Sequence, residues 1–553
     1  MKILFSFCCL IFHIACNNNK TLAVDTIFYN GKVYSCNDSF IIHEAFAIKD
    51  HKFIAVGKSK DILAKYNATE KIDLKNKTVY PGFFDAHCHF YALGKLKSEL
   101  DLSNINSWQK IVDSVAAYIK LYPNKQWIVG RGWDHTLFAD KKMPSFNEIN
   151  ALFPTKYILL RRVDGHAAIA NSNALQLANI NAQTQIAGGE IGISNGKLNG
   201  LLLDNAVELI TQKIPDPSIA QKVAYLLTAQ KLCLAAGLSS IVDAGLGVDM
   251  IELIDSLYKT GQLKIRINAM LSANQSALDY AKNHGPIETD YYRVKSFKVY
   301  TDGALGSRGA LLKSSYCDRK GHHGLLLTPI DTIKKYCEYA AQNHWQVNAH
   351  AIGDSANGLI LNLFGNYTKN KDLRWRIEHA QVVSMLDMPL FKTYSIIPSV
   401  QPTHATSDMR WANERICNHR MEGAYAYKTL LNIAGKIALG TDFPIEDYLP
   451  IKTFYAAVYR QDLTGMPHDG FQSKDALSIK EALWGMTTWA AYAQHEDNIK
   501  GKIEAGFLAD FIISKRDFTK DASPLLLLWK PEKLYIGGDA VFFYPNKFYN
   551  GKF

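Results

Sequence analysis

Several features are scarce or missing along these 553 residues, and each absence narrows what the chain can be. Beyond the first 16 positions no apolar run approaches the roughly 20 residues a membrane-crossing helix needs, so the body is not a helical membrane protein. The formal charge of +10 is spread out. No dense Lys/Arg run with interleaved aromatics occurs, which argues against a nucleic-acid surface. No short repeat and no low-complexity segment is present, so a solenoid or linker-rich chain is excluded. Cysteine is sparse, and Cys8, Cys9 and Cys16 fall in the first 16 positions. The others, Cys36, Cys88, Cys233, Cys317, Cys337 and Cys417, form no C-x-x-C pair. A core this large does not need disulfides, and these six are expected mostly as buried apolar thiols.

The apolar stretch that does occur is N-terminal. Lys2 precedes Ile3 to Leu10 and on to Ile14, followed by Ala15 and Cys16. About a dozen residues cannot span a bilayer of roughly 30 Å as a helix, so this is a targeting segment. Ile14-Ala15-Cys16 resembles a bacterial lipobox, with Cys16 as the lipidated first residue after cleavage and Asn17 to Lys20 as a polar tether. An ordinary secretory signal cut nearby is the alternative. The expectation is export to a bacterial cell envelope, with the membrane reached through a lipid anchor.

Residues 20 to 80 read as a small β module, with Asn30-Gly31 as a turn between alternating apolar runs. Eight strand candidates follow: Val79–Asp85, Leu238–Asp243, Leu263–Leu271, Val294–Thr301, Trp345–His350, Trp375–His379, Tyr394–Val400 and Lys436–Asp442. Helical patterns such as Ser218–Ala236 and Thr332–Asn343 lie between most of them. That alternation predicts a parallel (β/α)₈ barrel. The gap after the first strand is too long for one helix, so about residues 95–215 form an insertion expected to cover the catalytic face. After residue 495 short strands return and can pair with the N-terminal module.

Six residues within this pattern read as one binuclear metal site: His87, His89, Lys298, His350, His379 and Asp442. Each closes a short apolar run, and barrels present their strand ends on one face. Imidazole and carboxylate suit zinc or a similar divalent ion. His87 and His89 are two apart, so a strand points both to one face, while Cys88 points away. The same alternation turns Lys298 inward and leaves Phe297 and Val299 to the helices. A bare ammonium there is costly unless its charge is removed or reversed. Lys298 could instead pair with Asp302, and Asp442 could begin a helix. Asp302, His166 in the insertion and His404 after the seventh strand are candidate substrate contacts.

With P-G-F-F-D-A-H-C-H-F, D-G-H-A-A-I-A-N-S-N-A-L, F-K-V-Y-T-D-G-A-L-G-S, H-A-I-G-D, I-E-H-A-Q, G-T-D-F-P and G-K-I-E-A-G-F-L-A-D, the chain resembles the amidohydrolase superfamily, in the family 3 branch that includes N-substituted formamide deformylases. The likeness covers nearly everything after the signal. It implies a distorted barrel plus a composite β-sandwich from both termini. It implies that His87 and His89 hold the buried metal, that His350 and His379 hold the second, and that a carboxylated Lys298 bridges them. Asp442 would bind metal and shuttle the proton. The expected division is residues 1–16 as signal, 17–80 with 495–553 as sandwich, and 81–494 as barrel.

The function expected is hydrolysis of amides, N-acyl or N-formyl amines at non-peptide C–N bonds, by a water that two divalent metals acidify. The same machinery would also suit a cyclic amide, carbamate or ester. A lipid-anchored binding protein that keeps the metals without turnover is the alternative of another class, and the intact Asp442 argues against it. The partner is a small molecule, and a homo-oligomer is compatible with a sequence that carries no mark of stoichiometry. Mass spectrometry of the mature N-terminus should find acyl chains on Cys16, and Cys16→Ala should release the protein from the membrane; cleavage elsewhere with an unmodified Cys16 would contradict the anchor.

Overall fold

The computed structural model describes residues 21–162, 167–186, 189–521 and 524–544. Cys16 and its leader, and His166, lie outside the described residues. Eight parallel strands follow one another in space in chain order: Phe83–Cys88, Leu238–Leu246, Arg266–Ser272, Tyr292–Tyr300, Gln346–Ala351, Arg376–His379, Ile397–Val400 and Ala438–Leu439. They form the (β/α)₈ barrel. The eighth strand is short, and the circle closes beyond it. Asp442 N donates to His87 O at 2.8 Å, and His89 N donates to Phe443 O at 2.8 Å. Gly440 makes that seam tight, since a Cβ there would lie 2.5 Å from His87 N.

Local sequence explains the outer layer. Helix Ile219–Ala235 starts on a full capping box, with Ser218 and Gln221 exchanging bonds with each other's backbone. It packs on helix Phe90–Lys97, and Gly94 allows the contact: a Cβ would stand 1.8 Å from Tyr225 O. Helix Ile330–Asn343 meets the outward face of the fourth strand, where the Phe297 ring lies 5.5 Å from Tyr336 and 5.0 Å from Trp345.

The run Val79–Asp85, read as one strand, is two. Thr78–Pro81 joins a terminal sheet, and Phe83–Cys88 opens the barrel. Gly82 is the corner, because a Cβ would lie 2.3 Å from Ser239 Oγ and its N–H bonds to Asp510 O at 2.9 Å. Alternation and apolarity run through this corner unbroken, so composition could not mark it.

Two further sheets come from the chain's ends. One has four strands: Leu22–Tyr29, Ala45–Lys49, Lys52–Gly57 and Tyr66–Asp73. The other is built in the order Asp539–Phe543, Lys533–Ile536, Phe511–Ser514, Thr78–Pro81, Lys32–Tyr34 and Ile42–His43. Phe511–Ser514 pairs antiparallel with Thr78–Pro81, so the two ends share one sheet. Phe28, Phe46, Phe511 and Tyr535 fill the space between them. Between the first two barrel strands lies a separate six-stranded sheet, from Leu100–Asp101 to Lys197–Asp204, with its own core around Ile128, Trp133 and Ile158.

Cys36, Cys88, Cys233 and Cys337 are buried free thiols. Cys317 and Cys417 are not: they form a disulfide across 100 residues, with Cα atoms 5.9 Å apart. Two loops at the same end of the barrel bring them together, a proximity that no spacing announces.

Gly440→Ala forces a methyl into the closing seam. It should cost about 1–3 kcal/mol. A melting curve beside wild type checks this, and an unchanged midpoint would show that the seam has slack.

Candidate metal centre

Alternation on Phe83–Cys88 puts Asp85 and His87 on one face, and His89 follows just past the strand end. Both Asp85 oxygens are used on the seam. Oδ1 accepts from His87 N at 3.1 Å and Thr441 N at 3.0 Å, and Oδ2 from the Thr441 hydroxyl at 2.6 Å. Burial pushes the Asp85 carboxyl up to about 7 against these bonds. Cys88 points the other way and donates to Val242 O at 3.3 Å.

Arg376–His379 makes a different use of alternation. Arg376 and Glu378, two apart, share the buried face, and Arg376 Nε donates to Glu378 Oε1 at 2.7 Å. His379 should then face outward. It does not, because His379 and Ala380 take φ of 74° and 40°, which swings the ring back into the barrel. Its Nδ1 contacts Gln401 Oε1 at 2.7 Å. His87 Nδ1 in turn bonds Glu378 Oε2. In both rings the outer partner occupies Nδ1 and leaves Nε2 for the centre, the orientation that metal-ligating histidines require.

Lys298 is buried, with Nζ 3.3 Å from His87 Nε2. Burial lowers its amine to about 8, with Glu378 and Asp442 opposing the shift. The ring of His350 lies 4.5 Å from that of His379. Burial and the Lys298 charge bring His350 down to about 3 and His87 to about 4, so both rings are neutral near pH 7. A neutral imidazole is the ligating form. Burial holds His379 well below its usual value too, helped by His350 and His87.

Asp442 sits at φ 61°, three residues past the end of the eighth strand. Its Oδ1 is 3.2 Å from His89 Nε2 and 3.6 Å from His87 Nε2. Neither contact has hydrogen-bond geometry, and Oδ1 is buried without a partner, as is His350 Nε2. Oδ2 is held by His404 Nε2 at 3.1 Å, whose Nδ1 meets Glu446 Oε1 at 3.2 Å. Burial would raise Asp442, but His404 and His89 keep it well below the usual carboxylate range. Burial would lower His404, but its two carboxylates raise it to about 10. No helix starts at Asp442; the next begins at Pro450.

Buried lone pairs without partners fit a bound cation. Among the described residues, two groupings of side chains come close enough to share one: His87, His89 and Asp442, and His379, His404 and Asp442. Asp302 is placed differently from a substrate contact. It is buried, takes N–H bonds from Ile352 at 3.0 Å and from Leu311 and Gly353 at 2.9 and 2.8 Å, and approaches His350 Nε2 only to 3.6 Å. It makes no ion pair with Lys298 in this arrangement. His404 has both nitrogens engaged, so it braces Asp442 rather than offering a free donor.

Sequence reasoning missed Glu378, Arg376, Asp85 and Gln401. The signal for two of them was available, since opposite charges two apart, Arg376 and Glu378, share one face of a strand expected inside the barrel. Asp243 was also missed; from the second strand it accepts from Tyr91 N at 3.3 Å and so caps the helix that follows His89, whose own side chain makes no cap.

The amidohydrolase family model matches residues 70–542. The chain belongs to the amidohydrolase family. This amidohydrolase is 27% identical over 544 residues to Protein LONG AFTER FAR-RED 3 of Arabidopsis thaliana, across 94% of this chain and 92% of that one. It is 22% identical over 538 residues to N-substituted formamide deformylase of Arthrobacter pascens, across 93% and 97%. Among solved structures, an uncharacterized metal-dependent hydrolase from Pyrococcus furiosus superposes with a TM-score of 0.76 at 27% identity, covering 89% of this chain and 99% of that one.

Glu378→Gln removes the anion that orients His87. It should weaken divalent-ion affinity about 10–100-fold, read by metal titration of the apo protein. Affinity equal to wild type would mean that Glu378 serves only Arg376.

Proposed function

We propose that this amidohydrolase cleaves non-peptide C–N bonds in amides, N-acyl or N-formyl amines, using two divalent ions. The observation that carries this reading is the gathering of His87, His89, His379 and Asp442 at one end of the barrel, with the His350 ring 4.5 Å from that of His379 and with Asp442 Oδ1 and His350 Nε2 buried and unpartnered. His87, His89 and Asp442 would hold one ion, and His350 and His379 the second, with Lys298 between them. Zinc suits this imidazole-rich set. Such ions, when bound, acidify water and polarise a carbonyl. The name of the Arthrobacter pascens relative supports a carbonyl–nitrogen substrate, and the Pyrococcus furiosus structure supports metal dependence.

The chain's own residues supply the proton path. His404, braced by Glu446, fixes Asp442 Oδ2 and leaves Oδ1 facing the pocket. In the proposed reaction a water oxygen bonds to the substrate carbonyl carbon, and Asp442 Oδ1 takes the water's proton. The C–N bond then breaks, and Oδ1 passes that proton to the departing nitrogen. A carboxylate is a competent carrier here because its partners keep it ionised.

Lys298 is proposed to act as a carbamate. Its amine, lowered to about 8, is available in the neutral form. Nζ bonds to the carbon of carbon dioxide and loses one proton, giving an anion with two oxygens. Two cations beside a free ammonium would repel it, and the carbamate turns that repulsion into attraction.

We also infer export and anchorage through Cys16. The Cys317–Cys417 disulfide supports an oxidising compartment, where such bonds persist.

Turnover of an amide and carbamate library by metal-loaded protein tests the reaction. Hydrolysis of a simple N-acyl or N-formyl amine is expected; activity confined to cyclic amides, carbamates or esters would move the substrate class, and none at all would favour a binding protein. Asp442→Asn should lose about 10²–10⁴-fold in kcat. Lys298→Ala should lose both metal and activity, with partial rescue by a short carboxylic acid. Normal metal and rate in that variant would disprove the carbamate.

A further inference from the structure

The disulfide Cys317–Cys417 touches none of the candidate metal ligands, yet it joins two of the segments that frame them. The first, residues 301–329, leaves the fourth barrel strand just beyond Lys298. Its Asp302 holds the amides of Ile352 and Gly353, directly after His350. The second, residues 401–426, leaves the seventh strand. It begins with Gln401, which holds His379, and His404, which holds Asp442. Both rims are therefore coupled by hydrogen bonds to the walls of the site.

Besides the disulfide, buried apolar side chains such as Tyr316 and Ile416 and a set of polar contacts join the rims. Cys317 N bonds to Arg415 O at 2.9 Å, and Arg415 Nε to Gly306 O at 3.2 Å. Asp318 is shared by Arg308 and Arg415. Arg420 reaches Ser314 O at 3.1 Å and Ser315 O at 2.9 Å. The disulfide is the one covalent tie between the rims, and it adds to these part-buried polar contacts and to the Trp411 ring against Gly306. Both cysteines are only half-buried. Arg420 Nη2 lies 3.2 Å from Cys317 Sγ, a cation placed to stabilise a thiolate on that sulfur.

We propose that Cys317–Cys417 is a reducible clamp on the rim of the active site. Oxidised, it fixes the 301–329 loop against the 401–426 segment; reduced, it releases both. The co-reactant is an external dithiol. One of its thiolates bonds to Cys417 Sγ, the S–S bond breaks, and the electron pair leaves on Cys317 Sγ beside Arg420. The second thiol of the reductant then displaces Cys417. The dithiol ends as a disulfide, and its two protons end on Cys317 and Cys417. The four other thiols among the described residues are buried, so this pair is the one a reductant meets.

The experiment is amide hydrogen exchange on the metal-loaded full chain, before and after dithiothreitol, with thiols and metal counted in parallel. Reduction should add two thiols per chain and speed exchange in residues 302–325 and 411–423 at least about tenfold, with the barrel strands unchanged. Reoxidation should reverse it. The Cys317→Ala, Cys417→Ala double variant should exchange fast in both segments without reductant and ignore its addition. If that variant does not fold, reduction of the intact protein carries the test. Full reduction with unchanged exchange overturns the proposal, as does fast exchange that tracks metal loss rather than thiol count. None of these readouts requires turnover, so their failure is separate from failure of the hydrolase reading.

Discussion

The seam between the first and last barrel strands is the constraint on which the site depends. The eighth strand is barely a strand, yet two main-chain bonds beyond it, Asp442 N to His87 O and His89 N to Phe443 O, close the circle. They place a carboxylate 355 positions away in sequence between two imidazoles. Asp85 locks the same junction from inside by accepting from both sides of it. Because the seam is made of backbone, side-chain chemistry at 87, 89 and 442 is free to face the pocket.

Around the seam runs a ring of buried carboxylates whose work is orientation. Glu378 sets the tautomer of His87, Asp302 frames the strand end that bears His350, and Asp243 caps the turn after His89. Such groups are costly to bury. Each is met by amides, by a guanidinium or by an imidazole, and Glu378, beside Arg376 and His87, stays ionised down to about 2 despite its burial. The net effect is neutral His87, His350 and His379 beside an ionised Asp442, while His404, held between two carboxylates, keeps its proton near pH 7.

Much of this was legible in the chain because barrel strands advertise themselves. Most end an apolar run at a polar residue, so the count of eight and a set of candidate ligand positions could be read without neighbours. Two-residue alternation correctly turned Lys298 in and Phe297 out. It misled where the backbone leaves the β region. His379 reaches the pocket only through a positive φ, and the corner at Gly82 splits a run that looked continuous. Asp302 and His404 were legible as polar residues near the site, but which atoms occupy them was not.

The sequence by itself determined the periodicity, the strand-end chemistry and the family likeness, since these are local patterns repeated along one chain. Only tertiary structure decided the partners. That Glu378 rather than solvent meets His87, that Cys317 finds Cys417, and that both nitrogens of His404 are engaged by carboxylates are facts about distances across the barrel. Periodicity tells which way a side chain points from its own strand. What it meets depends on closure and loop packing, which bring together residues hundreds of positions apart.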